Sequence, residues 1–261
     1  MVEYGETYEG RPLIATIIKH PKNDKSFEQI RIQHLISSGL NTGDKIGGDL
    51  AVVWLSYSVH GNESSSMEAA IKTLHSFADT TNTKQMKWLE KVIVIIDPCM
   101  HPDGRDRYAN FYRMTGNVIP NINASTRGHR EPWPGGRTNH YLYDLNRDWL
   151  PATQPESQGR IKLYYNWRPQ VLVDFHEMGR DRTYFFQPGS SSRTNPTTPD
   201  TVFTLTNKFA AYHAEALNNI GPLYYSKDSF DDFYYGNGST YQDVPGAEVN
   251  LFEQASSRGL V

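Results

Sequence analysis

Apolar runs of strand length recur along the chain: LIATII (13–18), LAVVWLSYSV (50–59), VIVIID (92–97), VLVDF (171–175), TYFFQP (183–188) and AEVNLFE (247–253). Most are nearly continuous rather than alternating, the pattern of strands buried on both faces. Helical patterns fill the intervals at 26–38, 63–79, 155–168 and 200–218. Strand and helix alternate, which predicts an α/β domain with a mixed, mostly parallel sheet. A chain of 261 residues suffices for one large domain of this kind. No internal repeat or low-complexity linker divides it, so 1–261 reads as a single domain.

Two segments break the alternation. Residues 114–140 contain NVIPNINASTRGHREPWPGGRTNH, rich in Asn, Gly, Pro and Arg and without periodicity. A loop of that length inside a domain is usually functional. SSSRTNPTTPDT (190–201) is a second loop, ending in a helix start at Pro199 and Asp200.

Composition excludes several classes. A net charge of −3 gives no electrostatic case for nucleic acid or an anionic membrane as partner. With 38% apolar and 21% charged residues the chain is too apolar for disorder. It has no run of about 18 apolar residues that would span a bilayer. The start, MVEYGETYEGRPL, carries no basic and apolar leader pattern. The one cysteine, Cys99, rules out an internal disulfide and cysteine-based zinc clusters. At the end of VIVIIDPC it reads as a buried structural thiol. Any metal must therefore be held by histidine and carboxylate. The sequons at Asn62, Asn123 and Asn237 are short enough to arise by chance. G-x-S-x-G and the phosphate-loop pattern are both absent, against a serine hydrolase or a nucleotide-binding reading.

Chemistry-bearing residues stand at strand ends, where open α/β sheets place their ligands. His60 and Glu63, in HGNE, follow the 50–59 strand. DLNRDW supplies Asp144, Asn146 and Arg147. His176 ends VLVDFH, and Glu253 stands in the last apolar strand, where an unpaired carboxylate is costly to bury. A catalytic zinc needs three N or O ligands and an open position. It also needs a nearby carboxylate, off the metal, to accept a proton. An arginine supplies a fork for a carboxylate or charge for an oxyanion. Individually each motif is weak, and together, in this order, they are not.

HGNE, PDG, DLNRDW, DFHEMG and LFEQASSRG, in that order, resemble the zinc carboxypeptidase family of the carboxypeptidase A type (peptidase family M14), and YSVHGNE and the DDFYYG and GSTY stretches resemble its bacterial branch. The resemblance implies an α/β/α sandwich, one Zn2+ per chain, and a peptide or protein C-terminus as substrate. It implies His60, Glu63 and His176 as metal ligands and Glu253 as general base. Asn146 and Arg147 match the grip on the substrate carboxylate, and Asp144 the residue that orients the first histidine. Arg137 is favoured over Arg113 as the oxyanion arginine. Tyr235, with Tyr234 as competitor, matches an active-site tyrosine. His101 and His140 match no ligand position and read as ordinary loop residues.

The chain ends eight residues after Glu253, where the family's domain continues with a further helix, so the resemblance implies a catalytic domain cut short at its C-terminus. It leans towards an extracytoplasmic, periplasmic or secreted, protein. The implied activity is metallocarboxypeptidase. The rivals are an amidase for cell-wall peptides or isopeptides on the same site, and a catalytically dead zinc-binding recognition domain, which Glu253 argues against. Thr240, Tyr241 and Asp243 lie near the specificity region and do not define the preferred terminal residue.

Overall fold

A computed structural model describes residues 1–44, 50–116, 118, 119 and 121–256. The last residues of the LFEQASSRG motif, 257–259, lie outside that range, as do Asn117 and Pro120 of the long loop.

Each apolar run becomes a strand. They are β2 (Pro12–Ile18), β3 (Ala51–Tyr57), β4 (Val92–Asp97), β5 (Val171–Met178), β6 (Tyr184–Phe186) and β8 (Glu248–Ala255), joined by β1 (Val2–Glu6) and β7 (Tyr224–Tyr225). The sheet order is β1-β2-β4-β3-β5-β8-β6-β7. The central strands β4, β3, β5 and β8 are mutually parallel, and β1, β2 and β6 pair antiparallel at the flanks. The expected mixed, mostly parallel sheet is what forms.

The helices are α1 (Phe27–Ser37), α2 (Ser64–Ala78), α3 (Thr83–Leu89), α4 (Pro102–Thr115), α5 (Pro155–Trp167), α6 (Asp200–Ile220) and the short α7 (Gly238–Tyr241). Ser26 fixes the start of α1 by a reciprocal cap: its hydroxyl accepts from Gln29 N, and the Gln29 side chain accepts from Ser26 N. Helices α3 and α4 are additions to the sequence reading. On α4 only Asp103, Gly104, Tyr108 and Phe111 are buried, a stripe too narrow and too polar to announce a helix.

Strand alternation sorts side chains to two faces. Val52 and Trp54 of β3, Ile93 and Ile95 of β4, Leu172 of β5 and Val249 of β8 point to one face, against Ile30 of α1 and Leu163, Tyr164 and Trp167 of α5. Tyr57, Val94 and Ile96 point to the other, against Ala70 of α2 and Leu89 of α3. That second face carries a stacked ladder, Tyr57–Phe175–Phe252, with ring centroids 4.4 and 5.5 Å apart across β3, β5 and β8. His213 of α6 closes it at 4.7 Å from Phe252. Burying a side chain such as Trp54 or Ile95 contributes on the order of 1.5–3 kcal/mol each, and this layering is the sandwich that the resemblance implied.

Candidate active site

The carboxyl ends of the parallel strands β3, β5 and β8 converge on one cavity of about 290 Å3. Its lining includes His60, Glu63, Arg137, Asn146, Arg147, His176 and Glu253. Register explains the convergence. His176 and Glu253 are paired neighbours on β5 and β8, and residues at alternate positions share a face. Asp174, two residues before His176, therefore points the same way and lies behind it.

β3 leads into the HGNE turn through Ser58, which has a positive φ of 58°. Gly61 is required there, since a Cβ on it would stand 2.1 Å from Arg105 N and 2.2 Å from the Gly104 carbonyl carbon. The start of α4 thus presses on this turn, which explains why a glycine in HGNE goes with the glycine of PDG. His101 is not the loop residue expected from sequence. It is a buried cap whose Nδ1 accepts from Gly104 N at 2.8 Å, and burial lowers its pKa to about 3. His140 is exposed, beside Glu9.

His60, Glu63 and His176 are all buried, and their donor atoms lie within 4.8 Å of one another. Glu63 Oε1 is 2.7 Å from His60 Nδ1 and Oε2 is 3.1 Å from His176 Nδ1. The two Nδ1 atoms approach to 3.2 Å. Each histidine meets a carboxylate on its far side: His60 Nε2 is 3.1 Å from Asp144 Oδ1, and His176 Nε2 is 2.9 Å from Asp174 Oδ2. Asp144 can accept the His60 Nε2 proton, whereas Asp174 Oδ2 stands near His176 without a hydrogen bond, and both Nδ1 atoms turn to a common point, as metal-binding histidines require. The donor set fits zinc. Burial opposes ionisation of Glu63, but the two histidines hold its carboxyl well below the usual range. Burial likewise opposes charge on the histidines, while Glu63, with Asp144 for one and Asp174 for the other, raises both.

The segment Asp144–Trp149 reaches this point because Leu145 and Trp149 are anchored in the core. A 3-10 turn, Leu145–Arg147, is capped by Asp144 Oδ1, which accepts from Asn146 N at 2.9 Å. Asp144 Oδ2 takes Arg137 Nε at 3.0 Å, and Arg137 Nη1 then stands 3.9 Å from Glu63 Oε1. The long loop holds Arg137 in place: Arg107 of α4 donates to the carbonyls of Gly135 and Thr138, and Glu131 receives Asn62 Nδ2 at 2.7 Å. Arg113 is exposed at the end of α4 and does not line the cavity. Burial pushes the Glu253 carboxyl up to about 7, against the lowering influence of His176.

The structure does not bring Tyr235 to the cavity. Its hydroxyl is engaged by Asn195 and Thr197, and Tyr234 donates to the Arg147 carbonyl instead. Spacing from the GST motif could not reveal which way these rings turn. Sequence reasoning also missed Asp174, although a carboxylate two positions before a strand histidine in an apolar run was the available signal. Cys99 is half-buried, and burial raises its thiol to about 11, away from a nucleophile's range.

Comparisons with known proteins give the family and the fold. The family model described as zinc carboxypeptidase matches residues 1–244. No curated protein matches. Among solved structures, a metallo-carboxypeptidase from Burkholderia cenocepacia is 16% identical with a TM-score of 0.64, covering 97% of this chain and 54% of that one. Carboxypeptidase A from Helicoverpa armigera is 18% identical with a TM-score of 0.61, covering 97% of this chain and 58% of that one. The chain thus spans little more than half the length of these structures, which share its fold.

Proposed function

The chain belongs to the zinc carboxypeptidase family, and from that premise we propose that it hydrolyses the C-terminal peptide bond of peptides or proteins. The observation that carries this reading is the meeting, in one cavity, of a buried His-Glu-His donor set, a free-standing carboxylate and two arginines.

His60, Glu63 and His176 would hold zinc, which when bound supplies a Lewis acid that acidifies water and polarises a carbonyl. Glu253 takes the proton of the attacking water and returns it to the leaving amine, a transfer typically contributing about 10²- to 10⁴-fold. Arg147, with Asn146, receives the substrate's terminal carboxylate through a planar fork, which restricts cleavage to the last residue. Arg147 Nη1 is steadied by the Asn146 carbonyl at 2.8 Å. Arg137, 46% exposed and paired with Asp144, lines the same cavity and would supply positive charge to the developing oxyanion. Removing one such stabiliser costs about 10²- to 10³-fold. Asp144 orients His60, and Asp174 sets a negative charge beside His176.

The test is incubation of the zinc-loaded protein with a mixed peptide pool and mass analysis over time. Sequential loss of single C-terminal residues supports the reading. Internal fragments, or cleavage unaffected by C-terminal amidation, overturn it.

A further inference from the structure

A separate cavity, of about 160 Å3, opens at the amino ends of β5 and β8, away from the end of the sheet that carries His176 and Glu253. The turn after α1 (Ser38, Leu40), the end of α5 (Tyr164, Arg168) and the turn before β8 (Gly246) wall it. Its volume is several times the roughly 30 Å3 share of a water molecule, which leaves room for a small ion or the head of a ligand.

Two donors line this cavity with nothing in the protein to receive them. Arg168 is half-buried and stacks its guanidinium on the Tyr164 and Tyr165 rings, 5.4 and 5.3 Å from their centroids. The guanidinium makes no ion pair or hydrogen bond with any described residue. Stacking occupies its faces and leaves its N–H edge open. Tyr164 is 1% exposed, and its hydroxyl also has no hydrogen-bond partner among the described residues. A buried phenol ordinarily finds one. Burial raises the pKa of that hydroxyl, against the lowering influence of Arg168, so it stays a donor at neutral pH. The acid whose field reaches Tyr164 is Asp243, and burial holds it well above the usual carboxylate range, with Asp232 and Glu248 adding to the effect. Its neutral form is thereby favoured, which deprives Arg168 of a counter-ion within the protein.

The backbone at Arg168 points the same way. Helix α5 ends on this residue in the left-handed region, with φ 43° and ψ 62°, where glycine or asparagine is the ordinary choice. His34 Nε2 meets the Arg168 carbonyl at 2.8 Å and holds that conformation. A cation does complement the carboxyl end of a helix, but any residue of the last turn could supply it without backbone strain. A glycine would terminate the helix and would lose the cation stacked at the cavity.

We propose that this cavity binds a small oxyanion, a phosphate or carboxylate group, held by the Arg168 guanidinium and the Tyr164 hydroxyl. The site lies outside the catalytic cavity and does not depend on the carboxypeptidase reading.

The test is titration of inorganic phosphate into the zinc-loaded protein at constant ionic strength, following the arginine Nε–H resonances by NMR. The Arg168 signal is assigned by its loss in Arg168→Lys, and it reports on this cavity separately from anion taken up at the zinc or at Arg147. Phosphate should shift it saturably. Tyr164→Phe keeps the ring stack and should weaken binding about 2- to 10-fold, as expected for the loss of one neutral hydrogen bond. Acetate in a parallel titration distinguishes the source: tighter acetate assigns a carboxylate ligand, and tighter phosphate a phosphate ligand. An Arg168 signal that neither anion moves, a shift that sodium chloride reproduces, or wild-type affinity in Tyr164→Phe overturns the inference.

Discussion

Arg160→Met removes a positive charge buried beneath the 144–149 segment. Arg160 is 2% exposed, its guanidinium carbon lies 3.9 Å above the Trp149 ring, and its Nη2 donates to the Leu145 carbonyl at 3.0 Å. Burial pulls its pKa below the usual value, against the raising fields of Tyr4, Asp174 and Asp97. A hydrogen bond from a charged donor contributes about 1.5–3 kcal/mol. A desolvated cation–π contact adds about 2 kcal/mol. Relief of the buried cation's desolvation offsets part of this sum. Leaving the Leu145 carbonyl orphaned and Asp174 without its nearby positive charge works the other way. The net loss should be about 3 kcal/mol, read as a drop in urea midpoint at unchanged slope. Because the same turn carries Asn146 and Arg147, KM should rise more than kcat falls. Arg160→Lys, which keeps the charge without the planar fork, should recover part of both losses. A loss below about 1 kcal/mol, or a KM that stays at the wild-type value in a destabilised Arg160→Met, would refute the reasoning.

Further outcomes follow from the same geometry. Glu253→Gln should keep its zinc, since Glu253 is not among the converging donors, yet lose about 10²- to 10⁴-fold in kcat; loss of metal would contradict its role as base. Gly61→Ala forces a Cβ onto the α4 backbone at about 2 Å and should cost both stability and metal binding, measured by thermal unfolding and metal content; an unchanged Tm would show that the turn relaxes freely. Asp97 is fully buried, with Tyr4 donating to its Oδ2 at 2.9 Å, and burial raises its carboxyl to about 7. A raised carboxyl pKa means that the folded state keeps a proton the unfolded chain has already lost. Its contribution is therefore complete below about pH 4 and is lost as pH rises towards 7, a span of about 4 kcal/mol. Asp97→Asn should flatten that part of the stability–pH curve; an unchanged slope between pH 4 and 7 would show that other groups set it.

The strands were legible in the sequence because burial on both faces removes alternation and leaves unbroken apolar runs. β1 was not, because an edge strand with exposed residues, VEYGE, carries no such mark. Among its described residues the long loop is mostly irregular, as read, yet its anchoring depends on Arg107 and Glu131, whose partners are distant in sequence or set by loop shape. His60, Glu63, His176, Glu253, Asn146 and Arg147, which line one cavity, could be singled out because each lies in a short motif at a strand or turn. The orientation of Tyr234 and Tyr235 depends on how segment 230–239 folds back on the 144–149 turn. Tertiary packing decides that, and local spacing does not encode it.

The most direct measurement is bound zinc per chain in the wild type and in His176→Ala, each shown to be folded by circular dichroism. The account predicts about one zinc in the wild type and none in the variant, because β5 supplies the ligand that closes the set begun by His60 and Glu63. A folded wild type that takes up no zinc when it is supplied, or a variant that retains it, would contradict the account.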